Sequence, residues 1–187
     1  MEQLKIAQKR QENYECARKE IGKYTDKSLT QKDIKIIHTL IMGLGSEQSN
    51  YRVGWGAPPV QKNGKSIYSP PDSALYSIPD EVEKLLDWYN NNSIDIAIEI
   101  AARMHWGFVK IHPFDNGNGR TARLLVSLIL LSRGHSDVEC RRLEEYLTSD
   151  TTKYYEALDD NFSYLGFDRV TQKWINYLDN AFECCKI

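Results

Sequence analysis

The stretch that most limits what this chain can fold into is Ile111-His112-Pro113-Phe114-Asp115-Asn116-Gly117-Asn118-Gly119-Arg120-Thr121-Ala122-Arg123. An amphipathic helical pattern, Ile94 to Lys110, runs into it, and an almost wholly apolar one, Leu124 to Leu131, runs out of it. A short polar loop therefore joins two helices, and its second half opens the second of them. Gly117 and Gly119 read as positions for left-handed backbone angles. A Gly-Asn-Gly run of that kind turns successive N–H groups inward as an anion nest. The following helix leaves its first N–H groups unpaired at the positive end of its dipole, where phosphate binds readily. Arg120 and Arg123 are three apart and share a helix face, and guanidinium forks match phosphate oxygens. His112 stands just before the nest, where a neutral imidazole is a candidate base for an attacking hydroxyl. Each piece alone has an ordinary reading as a turn, a solvated face or a structural histidine. Their joint placement between a helix end and a buried helix start points to nucleotidyl or phosphoryl transfer.

The same residues resemble the signature of the Fic (filamentation induced by cAMP), or Fido, family, His-x-Phe-x-Asp/Glu-Gly-Asn-Gly-Arg-x-x-Arg. It stands here as His112, Phe114, Gly117, Asn118, Gly119, Arg120 and Arg123, with Pro113 also typical. The resemblance covers about residues 30 to 165. It implies an all-α fold, a Fic-type helical bundle with a small β-hairpin flap over the active site. It implies a protein adenylyltransferase that moves AMP from ATP, with Mg²⁺, to a Ser, Thr or Tyr hydroxyl of a target protein. In that reading His112 is the base, and Gly117, Asn118 and Gly119 hold the α- and β-phosphates. Arg120 and Arg123 meet the β- and γ-phosphates, and Phe114 anchors the loop in the core. Tyr154 and Tyr155 match a Tyr-Tyr pair that borders the base and ribose, with Asn161 near a later asparagine of the family. One position departs: where the family has an acid that helps hold Mg²⁺, this chain has Asn116, whose neutral amide oxygen is the weaker metal ligand. Asp115 is one residue early for that place.

Composition bounds the alternatives. The chain has 187 residues, enough for one domain with a sizeable core. A net charge of −2 gives no basic excess, so nucleic acid is not expected as the main partner. No apolar run is long enough for a membrane span, and the charged start Met-Glu-Gln-Leu-Lys does not read as a Sec-type signal. The expected setting is cytoplasmic, or a host cytosol reached through a specialised secretion system. Cys16, Cys140, Cys184 and Cys185 fit no zinc spacing and read as free thiols in a reducing compartment.

Along the chain, residues 2 to 23 read as a peripheral helix, and residues 1–29 as an N-terminal helical extension to a Fic domain spanning 30–187. Thr30 with Asp33 reads as a near capping box for a helix whose buried stripe is Ile34, Ile37, His38, Ile41 and Leu44. His38 is expected in the core or at its rim. Tyr51-Arg52-Val53 and Ser66-Ile67-Tyr68 read as extended runs on either side of an Asn63-Gly64 turn. By resemblance, this region (53–69) is the flap on which a target segment docks by strand addition; Trp55 is read as packing. Ser77, Pro79 and Asp80 mark a helix start, and Ser93 a second one, with His105 on the apolar stripe of that helix as a core residue. Glu139 to Tyr146, Thr148 to Asp160 and residues 168 to 184 complete the helices, and Gly134 ends the apolar one.

Many Fic proteins carry an inhibitory helix, Ser/Thr-x-x-x-Glu-Gly/Asn, and no segment here reads that way; Thr152 to Ala157 is near but ends in alanine. Inhibition is therefore expected from a separate antitoxin-like protein, from self-assembly or from sequence outside this chain. Two alternatives remain at this stage. One is a Fic-type transferase using another donor, whether another nucleotide, a phosphoryl group or phosphocholine. The other is a catalytically weak member that binds nucleotide or a partner protein.

Overall fold

The structure, a computed structural model, describes residues 1–45, 48–53, 60–62, 65–68, 77–158 and 170–186. Among these residues the chain is almost wholly helical: α1 (Glu2–Ile21), a 3₁₀ turn (Gly22–Tyr24), α2 (Gln31–Met42), α3 (Ile78–Asn91), α4 (Ala97–Ile111), α5 (Asn118–Ser132), α6 (Asp137–Ser149), α7 (Thr151–Leu158) and α8 (Gln172–Glu183). Capping chemistry starts several of them. Thr30 accepts from the Asp33 N–H while Asp33 Oδ2 accepts from the Thr30 N–H, which closes the expected box. Ser136 and Glu139 form a second box, and Ser77 and Thr171 cap α3 and α8. Ser93 does not cap α4. Asn92 Oδ1 takes the Ile94 N–H at 3.1 Å and its amide gives to Tyr89 O, so the chain turns there and the helix begins only at Ala97.

The core is built on α4 and α5, which contact one another more extensively than any other pair of elements. From Leu124 to Leu130 every residue of α5 is buried, as its almost wholly apolar sequence requires. In α4 everything from Met104 to Ile111 is buried as well. Such packing on all sides fixes the loop between them, residues 112–117, at both ends.

The helix expected as an N-terminal extension packs into the same core. Most of α1 is exposed, but Ala17, Arg18 and Ile21 are buried near its C-terminal end. The Arg18 guanidinium donates to Glu144, to Asp137 at 2.8 Å and to Ser127 Oγ at 3.4 Å, which ties α1 to α5 and α6.

Two short strands pair antiparallel, β1 (Val60–Lys62) with β2 (Lys65–Tyr68), and Lys62 lies opposite Lys65. The second strand falls where the sequence suggested. The first does not: Tyr51-Arg52-Val53 forms no strand, because its N–H and guanidinium groups are spent on residues 112 and 113 instead. The Asn63-Gly64 turn, Trp55 and Asn161 lie outside the described residues.

Candidate active site

The loop is braced by side chains that the sequence hardly advertised. His112 caps α4 in the left-handed conformation (φ 50°, ψ 59°), the one described non-glycine residue with positive φ. That costs about 1–2 kcal/mol for a residue with a Cβ, so its surroundings must enforce it. They do so through the His112 N–H, which reaches Phe108 O at 3.0 Å, and through Arg52. Arg52 is buried. Its Nε donates to the His112 carbonyl at 2.6 Å and its N–H to the Pro113 carbonyl at 2.9 Å.

Phe114 is buried, as expected of an anchor, and stacks on His38 with ring centroids 3.6 Å apart. His38 then holds the next part of the loop. Its Nε2 meets the Asn116 carbonyl oxygen at 2.8 Å, and a carbonyl can only accept, so the Nε2–H tautomer is present. The Nδ1 is left to accept from Ser49 Oγ at 2.6 Å. Burial lowers the His38 pKa, which keeps this neutral tautomer in place. His38 is thus the core residue the sequence suggested, and it carries the loop between α4 and α5.

Asn118 is buried and its side chain is fully used within the loop. Oδ1 accepts from the Phe114 N–H at 3.0 Å and Nδ2 donates to the Phe114 carbonyl at 2.6 Å. Only its backbone N–H is left to meet a ligand. Gly117 is left-handed as expected (φ +82°), and a Cβ there would stand 2.9 Å from His38 Nε2 and 2.9 Å from Met42 Sδ. Gly119 is not left-handed, which corrects the sequence reading; it lies in the first turn of α5, beside Arg123. The nest is therefore one left-handed glycine followed by a helix N-terminus. No side chain caps α5, and among the described residues the N–H groups of Asn118, Gly119 and Arg120 have no acceptor. The first N–H with a partner is that of Thr121, 2.9 Å from Gly117 O. Unpaired donors at a positive helix end form an anion site.

Two guanidiniums stand at the same helix end. Arg120 is half-buried, donates to Ile41 O at 3.3 Å and meets no carboxylate among the described residues. Burial, then the charges of Arg10 and Arg123, lower its pKa. Arg123 stands close enough to Tyr154 for its charge to oppose the rise that burial gives that hydroxyl's pKa. The Tyr154 hydroxyl also meets His105 Nε2 at 3.1 Å, and His105 is stacked on Trp174 at 4.6 Å. Burial drives the His105 pKa well below its usual value, so it is a neutral core histidine. Tyr154 is thus buried with its hydroxyl on His105 and near Arg123, while the half-buried Tyr155 packs edge-on against it.

The His112 imidazole has its pKa pushed down to about 4. Burial is the main cause and the Arg52 charge the second, against a hydrogen bond to the Val109 backbone that raises it. At neutral pH the ring is the free base.

The described residues do not form a magnesium site of their own. The Asn116 Oδ1 accepts from the Gly117 N–H at 2.7 Å, and Asp115 beside it is exposed. No cluster of three or more His, Cys, Asp or Glu residues able to hold a metal occurs among the described residues. Protein magnesium sites commonly rest on one or two carboxylates, and position 116 lacks one.

The chain matches the Fic/DOC family model over residues 28–130 and belongs to that family. It is 26% identical over 142 residues to a probable protein adenylyltransferase of Aquifex aeolicus (strain VF5), covering 73% of this chain and 43% of that one. It is 31% identical over 151 residues to the protein adenylyltransferase Fic of Drosophila erecta, covering 73% of this chain and 26% of the relative. The chain therefore spans less than half the length of these relatives. Among solved structures, a Fic family protein from Desulfovibrio desulfuricans G20 superposes with a TM-score of 0.73 at 22% identity, over 95% of this chain and 51% of that one. A Fic domain containing signaling protein from Bacteroides thetaiotaomicron gives a TM-score of 0.63 at 22% identity, over 94% of this chain and 67% of that one. These last two likenesses establish the fold.

Proposed function

We propose that this chain transfers AMP from ATP to a hydroxyl side chain of a target protein. The observation that carries the reading is the loop itself: a half-buried, neutral imidazole at one end, and at the other a helix N-terminus with unpaired N–H groups and Arg120 and Arg123 in its first turns. The polyphosphate lies on the N–H groups of residues 118–120. His112 takes the proton of a Ser, Thr or Tyr hydroxyl. That oxygen forms a bond to the α-phosphorus, the bond from the α-phosphorus to the bridging oxygen breaks, and pyrophosphate leaves with its charge facing Arg120 and Arg123. The left-handed strain at His112 and the Arg52 clamp hold the ring in place before substrate arrives.

The relatives' names support the donor and the product. Mg²⁺ would supply neutralisation of phosphate charge when bound, and position 116 would offer it a neutral amide oxygen in place of a carboxylate. The strand pair β1–β2 serves as the flap that takes a target segment along its edge. Inhibition would come from a separate antitoxin-like protein, from self-assembly or from sequence outside this chain. A reducing cytosol suits the four free cysteines, two of them exposed, and no helix among the described residues is long and apolar enough to cross a membrane.

Transfer from α-³²P-labelled and γ-³²P-labelled ATP into lysate proteins tests this, with His112→Ala alongside. Label from the α position alone, lost in the variant, is the expected result. Label from the γ position would mean phosphoryl transfer instead, and equal labelling by both proteins would remove His112 from the chemistry.

A further inference from the structure

A cavity of about 360 Å³ opens between α1, the start of α5 and α6. Its charges are unevenly matched. Glu15 is paired with Arg141 at 2.9 Å, and Arg141 also with Asp137 at 2.8 Å. Glu144 is held by the buried Arg18 and by the Tyr14 hydroxyl at 2.9 Å. Glu145 stands exposed at the rim. Three guanidiniums of the lining, Arg10, Arg120 and Arg123, have no carboxylate partner among the described residues.

Arg120 and Arg123 belong to the phosphate site already described. Arg10 comes from α1, near the other end of the chain. An exposed helical arginine usually finds an acid one turn away, but its neighbours at that spacing are Ile6, Ala7, Asn13 and Tyr14. Other charged residues of α1 do pair along the helix, as Lys9 does with Glu12 at 3.5 Å. The fold thus sets an unpaired cation against two others across a space large enough for the end of a polyphosphate. Mutual repulsion adds to burial in lowering the Arg120 pKa, and an anion between them would relieve it.

We propose that Arg10 is a third cation of the nucleotide site, placed to bind the terminal phosphate of a triphosphate and so to favour triphosphate over diphosphate nucleotides. The proposal rests on the reading of the α5 N-terminus as the polyphosphate seat. A diphosphate ends short of Arg10 and gains nothing from it, whereas a triphosphate gains a charge-assisted contact.

Calorimetry with the full chain and the α,β-methylene analogues of ATP and ADP tests it. In Arg10→Ala the triphosphate should bind about tenfold more weakly, as loss of one such contact would give, with diphosphate affinity unchanged. Arg10→Lys should recover part of the preference. Unchanged affinity for both analogues in Arg10→Ala, with the wild type binding normally, would overturn the role of Arg10 alone. Equal weakening of both, with a lowered Tm, would overturn it in favour of a structural role. Failure of the wild-type chain to bind either analogue would overturn the site reading together with it.

Discussion

Arg52 Nε lies 2.6 Å from the carbonyl oxygen of His112, so the residue that fixes the backbone there also sets a positive charge beside the His112 ring. Burial and that charge together push the imidazole pKa down to about 4. The ring is ready to accept a proton across the neutral range, and its protonation appears only in acid. The acidic limb of kcat/KM for AMP transfer should therefore fall near pH 4 rather than near 6.5. Removing the charge favours the imidazolium, so Arg52→Gln should move this limb upward and lower activity at pH 5 relative to pH 7.5. The ring's NMR titration checks the same point without turnover, and a wild-type midpoint at 6.5 would contradict it.

Gly117 and Gly119 should respond in opposite ways to alanine. At Gly117 a Cβ meets His38 Nε2 and Met42 Sδ at 2.9 Å, on a backbone with φ +82°. Strain and overpacking together should cost about 2 kcal/mol or more, seen as a lower denaturation midpoint. At Gly119 the Cβ would sit 3.4 Å from Arg123 Nη1, in a helix, where alanine is the better residue by about 0.5–1 kcal/mol. Gly119→Ala should keep or raise stability yet lose nucleotide affinity, because the methyl stands among the N–H groups proposed to meet phosphate. Equal affinity in Gly119→Ala and wild type would remove that end of α5 from the site.

The helices and the loop between α4 and α5 were legible because their signals are local: caps, an almost wholly apolar run, and a glycine and two arginines at fixed offsets. Thr30 and Asp33 formed the box their spacing suggested, and Phe114 is the buried anchor. What braces the loop was not legible. Arg52 lies 60 positions from His112, within a run whose β propensity pointed to a strand, and nothing nearby marks it as a clamp. His38 gave a partial signal, being a polar residue on an apolar stripe. Its partner, the Asn116 carbonyl 78 positions on, is set by packing alone. Gly119 was misread for a related reason: two glycines in one motif look alike, yet one precedes the helix and the other is inside it. Tyr154 was read as a pocket residue, while its hydroxyl sits on the buried His105.

Arg18 makes a stability prediction about α1. Its side chain is 2% exposed and bridges Glu144 and Asp137. Breaking a buried pair from one side strands the other charge, which costs about 3–5 kcal/mol. Part of that is offset here by the exposure of Asp137, so Arg18→Ala should lose about 3 kcal/mol in urea unfolding, and removal of residues 1–29 at least as much. Arg18→Met paired with Glu144→Leu should recover much of the loss, since an apolar pair of similar volume removes both charges. If the truncated chain unfolds at the same urea concentration as the full one, α1 is no part of the cooperative core.

Asn116 tests how magnesium reaches the site. Its Oδ1 already accepts from the Gly117 N–H at 2.7 Å and brings no charge. An aspartate could keep that bond through one oxygen and offer the other to a cation, so Asn116→Asp should lower the Mg²⁺ concentration needed for half-maximal transfer. The sign must reverse without the metal, because a carboxylate beside the phosphate seat repels the polyphosphate. In EDTA, Asn116→Asp should bind the α,β-methylene ATP analogue more weakly than wild type, and in millimolar Mg²⁺ more tightly. A variant whose nucleotide affinity and Mg²⁺ midpoint both match the wild type would show that residue 116 faces neither metal nor phosphate, and the seat would then have to lie elsewhere than at the N-terminus of α5.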